Sequence, residues 1–153
     1  MPHLATYVGL VDDSERVLAE SLRLVAGGHA QVADVHHLCL TLAAMCDEHR
    51  RRLAPVVERY GEQEVDEPER LRADALPKPR EGDVGLLRDL QDLHLLSTLV
   101  KSTRMVIGQG ARGLRDAELL EIASASEADV ERQLTWLTTR IKVTAPQALI
   151  VAP

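Results

Sequence analysis

The sequence predicts an all-α fold, and three observations support this prediction. The chain has 45% hydrophobic residues but only 2% aromatic ones and no Phe, a composition typical of helical proteins rather than of sheets. Apolar residues recur at intervals of three and four along four long segments, which places them on one face of a helix. A short, a long and a short connection join these segments, as in a four-helix bundle.

The length and charge of the chain limit the classes of function. A chain of 153 residues is expected to form a single domain, 1–153, around one hydrophobic core. A net charge of −6 and the shortage of aromatic rings argue against nucleic-acid binding. The amino terminus lacks the basic and apolar regions of a secretory signal, and no apolar run approaches the ~20 residues of a membrane span. We therefore expect no membrane partner and a cytoplasmic location.

The first predicted helix covers about residues 3–26. Its apolar seam is interrupted by Glu15, which stands where a core residue is expected. A buried, ionised carboxylate is costly unless it is paired or binds a metal. Gly27 and Gly28 are expected to end this helix, because glycine readily adopts the left-handed conformation common after a helix C-terminus.

The second predicted helix covers about residues 31–61 and packs antiparallel to the first, since the link between them is short. Cys46 and His49 lie on its otherwise apolar face, and a buried imidazole needs a hydrogen-bonding partner. Cys39 and Cys46 are seven residues apart on this helix. That separation is about 10 Å, too far for a disulfide, so we expect two reduced thiols.

A connector over residues 61–82 separates the second helix from the third. Its composition excludes one continuous helix, because it contains Pro68, Pro77 and Pro79. A connection of about twenty residues in a compact domain is usually either a functional loop or a crossover that runs the length of the fold. Such a crossover would make the second and third helices parallel.

The third predicted helix covers about residues 83–108, with Asp83 as its N-cap. The fourth covers about 115–143, and Glu127 interrupts its apolar seam. Residues 124–127, Ser-Ala-Ser-Glu, also have the form of a capping box, which would mark a helix restart instead.

The C-terminal tail, residues 146–153, follows the fourth helix, which Pro146 is expected to end. The tail is short and apolar. We expect it to lie against the bundle or against a subunit neighbour.

The polar residues lie near the middle of the helices, so that they would meet at one level of the core. In this pattern the chain resembles the ferritin-like superfamily, most closely its small bacterial four-helix members. In the di-iron proteins of that family, two helices each supply a glutamate and the other two each supply a Glu-x-x-His motif. By position, Glu15 matches the glutamate of the first helix, His49 the histidine of the second-helix motif and Glu127 the glutamate of the fourth-helix motif.

The match to the family's ligand set is incomplete. Cys46 stands where the second-helix glutamate is expected, and Val130 where the fourth-helix histidine is expected. The third helix has Leu93, His94 or Ser97 in place of a glutamate. The resemblance therefore implies a ferritin-like bundle with a degenerate di-iron ligand set.

Two hypotheses for function follow from these residues, beside the possibility that their alignment is fortuitous. In the first, the layer is a metal-free network in which Arg104 pairs with a glutamate, and the protein is a structural or interaction module with no catalysis and no cofactor. It would form a homodimer, and its apolar tail would offer a contact for a protein partner. In the alternative, a single Fe, Mn or Zn ion supports redox or iron-linked chemistry. Its ligands would be Glu15, His49 and Glu127, with Cys46 or His94 completing the set.

Overall fold

The structure, a computed structural model, describes residues 2–61 and 73–153. Within these two ranges the chain forms five α-helices and one π-helical turn, and it contains no strand. The helices are α1 Pro2–Gly28, α2 Ala33–Tyr60, α3 Gly82–Leu114, α4 Ala117–Ala125 and α5 Glu127–Pro146, and the π-helical turn is Gln147–Val151. The predicted all-α class is confirmed.

The helices occupy the four positions of a bundle. α1 packs along both α2 and α3, and α3 packs along both α4 and α5. Only Ser126 separates α4 from α5, so these two helices fill the fourth position together. In the part of the chain that the structure describes, no helix combines the length and the apolar character needed to cross a membrane.

Two contacts between helix ends define the helix directions. Nε2 of His29, just after α1, lies 2.8 Å from Oδ2 of Asp89 near the start of α3. The hydroxyl of Tyr60, at the end of α2, donates to Asp116, just before α4, over 2.8 Å. α1 and α3 therefore run antiparallel, and α2 and α3 end at the same side of the bundle.

The described part of the connector, residues 73–81, lies against the end of α1. Pro79 is so close to Gly28 that a Cβ at Gly28 would overlap the proline ring. Glycine is therefore required at this close approach. The rest of the predicted crossover over 61–82 falls on residues 62–72, outside the described residues, and the crossover stays a prediction.

The predicted end of the third helix, at residue 108, is wrong. α3 continues to Leu114, although Gly108 lies within it. Ile107 and Ala111 on either side are fully buried in the core, so tertiary packing outweighs the low helix propensity of glycine. The residue that follows the helix, Arg115, adopts a left-handed conformation with φ 57°.

The predicted fourth helix over 115–143 is two helices, because the restart at residues 124–127 occurs. Ser126 lies at the junction with φ −96° and ψ −4°, and its hydroxyl makes no capping bond to α5. Ser124, the N-cap of the predicted capping box, lies within α4, so the box is not formed. α5 ends at Pro146, as predicted, but the chain continues as the π-helical turn.

The core consists of two apolar clusters stacked along the bundle. The larger contains Leu18, Leu22, Cys46, Leu93, Val100, Val130 and Leu137, with further buried neighbours. The smaller is formed by Val8, Val11, Leu53, Val56, Ile107, Ala111, Leu119 and Ala123. Between the clusters each helical position contributes a buried polar residue: Glu15, His49, Arg104 and Ser126. We call these four residues and Asp129 the polar layer.

Candidate functional site

Glu15 is the buried carboxylate of the polar layer and has no exposed surface. Its Oε1 accepts a hydrogen bond from Nε of Arg104 over 2.9 Å and lies 3.2 Å from Nδ1 of His49. Burial alone raises the pKa of Glu15, but the hydrogen bond with His49 and the charge of Arg104 outweigh it and lower the pKa overall. Glu15 is therefore an ionised and paired carboxylate in the middle of the bundle.

His49 bridges two carboxylates. Besides its contact with Glu15, its Nε2 lies 2.9 Å from Oδ2 of the partly exposed Asp129. The layer thus brings two basic side chains, Arg104 and His49, against two carboxyl groups, Glu15 and Asp129. Buried ionic groups require such opposite partners.

Arg104 links Glu15 to the break between α4 and α5. Its Nη1 donates to Oγ of Ser126 over 2.7 Å. The Ser126 hydroxyl also lies 3.2 Å from the carbonyl oxygen of Ile122 and 3.3 Å from that of Ala123. The hydroxyl of the residue that precedes α5 thus holds the guanidinium instead of capping the helix. The remaining nitrogen, Nη2, is buried and has no partner among the described residues.

Cys46 extends the polar layer toward the larger apolar cluster. Nε2 of Gln133 lies 3.4 Å from Sγ of Cys46 and also donates to the carbonyl oxygen of Leu42 over 3.1 Å. Burial and the neighbouring Glu15 carboxylate raise the pKa of the Cys46 thiol well above its usual range. Burial likewise raises the pKa of Cys39 to about 12. Both cysteines are free, as predicted, and both are protonated thiols.

The structure brings together three of the five predicted ligands, Glu15, Cys46 and His49. The prediction that Glu127 lies in the core layer is wrong, since this residue is exposed. Ser126 takes the buried position beside Glu127, and the partly exposed Asp129 supplies the second carboxylate of the layer. His94 is only partly buried, and its side chain forms no hydrogen bond or ion pair within the described residues.

Sequence analysis missed three residues of this region: Ser126, Asp129 and Gln133. A signal for two of them existed, because Ser126, Val130 and Gln133 follow one another at intervals of four and three. A seam drawn through these positions would have placed Ser126 and Gln133 in the core. Asp129 lies beside that seam and is partly exposed, so periodicity alone does not identify it.

The described residues do not form a metal-ligand group. Within residues 2–61 and 73–153, no group of three or more His, Cys, Asp and Glu side chains is placed to hold one. Iron, manganese and zinc sites need imidazole nitrogens and carboxylate oxygens that are free to coordinate. Here both nitrogens of His49 face carboxylates, and Oε1 of Glu15 accepts from Arg104. The guanidinium supplies the positive charge that a metal would supply.

A second buried carboxylate, Asp89, lies near the start of α3. It accepts hydrogen bonds from the backbone N–H of Arg80 over 2.9 Å and from the Arg80 guanidinium over 2.8 Å. Nε2 of His29 is also 2.8 Å from it. Asp89 therefore ties the connector to the ends of α1 and α3, which is a structural role.

Comparison of this chain with protein-family models, with curated proteins and with solved structures found no match. The resemblance to the ferritin-like superfamily therefore depends on the helix pattern and on the positions of the polar residues.

Proposed function

We propose that this protein is a degenerate ferritin-like bundle without metal chemistry, and that it is a structural or interaction protein rather than an enzyme. One observation carries the proposal: the 2.9 Å ion pair between Glu15 and Arg104, whose side chains are 0% and 4% exposed. In di-iron bundles the buried carboxylates face metal ions. In this chain the corresponding carboxylate faces a guanidinium.

The helix directions support the ferritin-like part of the proposal. α1 is antiparallel to α3, and the side-chain contacts between α5 and α2 run in opposite order along the two helices, from Asp129–His49 to Arg140–Asp34. The same direction for α2 and α3 is the arrangement of a bundle with one long crossover. We propose that the connector over residues 61–82 forms this crossover.

The polar layer favours one register of the helices. Its opposite charges meet only when α1, α2, α3 and α5 are aligned as they are here. A shift of one helix by a turn would leave a charge buried without a partner, which costs about 3–5 kcal/mol. Such a layer selects a single bundle without catalysing a reaction.

The assembly that we propose is a homodimer formed through the C-terminal tail. Ala148 is buried, whereas Leu149, Ile150 and Val151 are 69%, 82% and 68% exposed. Adjacent apolar side chains that face solvent are typical of interaction surfaces. A second copy of the chain, or another protein partner, would cover them.

Mass measurement in solution tests this assembly. The wild type is expected to be a dimer, and Ile150→Glu a monomer, because it places a charge at the most exposed apolar position. Leu40→Glu on α2 is the control and should stay dimeric. Truncation after Ala145 should also give a monomer, but it removes the buried Ala148 as well. A monomeric wild type, or a dimer unaffected by Ile150→Glu, would contradict the assembly.

The alternative function, a small Fe, Mn or Zn protein with redox or iron-linked chemistry, stays a prediction. It requires Glu15 and His49 to exchange their present partners for the ion. It also requires Glu127 to reach the polar layer, with Cys46 or His94 completing the ligand set. No contact among the described residues favours these changes.

A further inference from the structure

A surface cleft of about 240 Å³ lies between α3 and the junction of α4 and α5. Its floor is largely apolar and is formed by Met105, Gly108, Leu120, Ala123 and Val130. A Cβ on Gly108 would lie 3.9 Å from the Cβ of Ala123, an ordinary contact distance. A methyl group therefore fits at Gly108, whereas a longer side chain would extend into the cleft.

Charged side chains surround this floor, and two of them lack partners. Nζ of Lys101 is paired with Glu131 over 2.6 Å, and Arg104 is paired within the polar layer. Arg112 and Glu127 also line the cleft, but their side chains form no hydrogen bond or ion pair with any described residue. The cleft thus presents one unpaired cation that can bind an anionic group and one unpaired anion that disfavours a second one.

These two charges lie at opposite ends of the cleft. The Arg104–Ser126 hydrogen bond places Glu127 at the level of Arg104. Arg112 is eight residues further along α3, which corresponds to about 12 Å. An anionic head is attracted to the Arg112 end, whereas the unpaired Glu127 repels a second negative charge at the other end.

We propose that this cleft binds a small monoanionic amphiphile, of the medium-chain carboxylate class. Its carboxylate pairs with Arg112, because a guanidinium matches a carboxylate in bidentate geometry. Its apolar chain lies over Gly108 toward Val130. The volume is just below the about 300–1,000 Å³ of pockets for drug-sized ligands, so the ligand is smaller than these. This binding site is separate from the polar layer and goes beyond the structural function proposed above.

Calorimetric titration of the full chain with four eight-carbon probes tests the ligand class. Octanoate, below its micellar concentration, is expected to bind about tenfold more tightly than octanol, which lacks the charge. Octanedioate should bind more weakly than octanoate, because its second carboxylate meets the unpaired Glu127. Equal binding of octanol and octanoate, or tighter binding of octylammonium, would overturn the proposal.

Two pairs of variants test the site. Gly108→Leu should abolish octanoate binding by filling the cleft, whereas Gly108→Ala should retain it. Arg112→Gln should weaken octanoate binding about tenfold, to the level of octanol. Arg88→Gln, at an exposed position of α3 outside the cleft, is the control and should leave binding unchanged.

Melting curves of all four variants show whether each one folds. If Gly108→Leu does not fold, Arg112→Gln against Arg88→Gln decides the outcome, because both positions are exposed. Octanoate binding that is unchanged in Arg112→Gln would contradict the proposed site. So would octanoate binding that persists in a folded Gly108→Leu variant.

Discussion

Arg104 donates through Nε to Oε1 of Glu15 over 2.9 Å, although the two residues are 89 positions apart in the chain. Both side chains are buried between the two apolar clusters, at the level where α1 and α3 cross the centre of the bundle. A buried ion pair contributes little net stability, because removing both charges from water offsets their attraction. Breaking it is costly, since one charge is then left alone in the core.

Arg104→Met should lower the free energy of unfolding by about 3–5 kcal/mol, because Glu15 loses its cation. Adding Glu15→Met should restore much of this loss, since it removes the orphaned carboxylate. Urea denaturation of both variants measures the coupling. Arg88→Met is the control and should change the free energy by less than about 0.5 kcal/mol. A double variant that is no more stable than Arg104→Met would contradict the pairing.

The lowered pKa of Glu15 predicts a specific acid sensitivity. A carboxyl group whose pKa is lower in the folded than in the unfolded state stabilises the fold above the unfolded value. That contribution disappears as the pH falls through the folded pKa. The free energy of unfolding should therefore decrease as the pH is lowered below about 5, and Glu15→Gln should make this decrease shallower.

Glu48→Gln is the comparison for the acid effect. In the wild type, the hydrogen bond between Glu48 and Arg51 lowers the pKa of Glu48 to about 2. This pair is exposed, so solvent screens its contribution to stability. Glu48→Gln should change the pH dependence less than Glu15→Gln. Denaturation series between pH 3 and pH 7 distinguish the two. The same pH dependence in wild type and Glu15→Gln would show that Glu15 is not a paired carboxylate.

Asp129→Asn should reduce the free energy of unfolding by roughly 1 kcal/mol, because His49 loses a charged acceptor that is partly exposed. Glu127→Gln, two residues earlier, should have an effect within about 0.5 kcal/mol, since this side chain faces solvent. Chemical denaturation compares the two neighbouring variants directly. A larger loss of unfolding free energy for Glu127→Gln than for Asp129→Asn would indicate that Glu127 lies in the core, as the periodicity predicts.

More of the fold than of the candidate site could be predicted from the sequence. Helix positions follow from local periodicity, which depends only on the nearby sequence. Glu15 and His49 could also be found, since each interrupts a long apolar seam. Glu127 was misplaced because the buried position at this level is Ser126, the residue before it. Ser126 bonds to Arg104 from another helix, and a local pattern does not contain such a contact.

The cysteines should react with thiol reagents only after unfolding. Burial raises the pKa of Cys39 to about 12, and burial with the Glu15 carboxylate raises the pKa of Cys46 well above its usual range. The thiolate is the reactive form, so both residues should be inert in the folded protein at pH 8. Titration with a disulfide reagent should show two reactive thiols in denaturant and none without it. Rapid labelling of the native protein would contradict their burial.

Metal content tests the central claim, a polar layer that neutralises itself, most directly. Protein purified without chelators is incubated anaerobically with Fe(II), desalted and subjected to elemental analysis, beside the Glu15→Gln variant. Because Arg104 balances Glu15 and both nitrogens of His49 face carboxylates, we predict far less than one Fe, Mn or Zn per chain in both proteins. The melting temperature should also be the same with and without chelator. One equivalent of metal in the wild type that is lost in Glu15→Gln, together with a chelator-sensitive melting temperature, would contradict this claim.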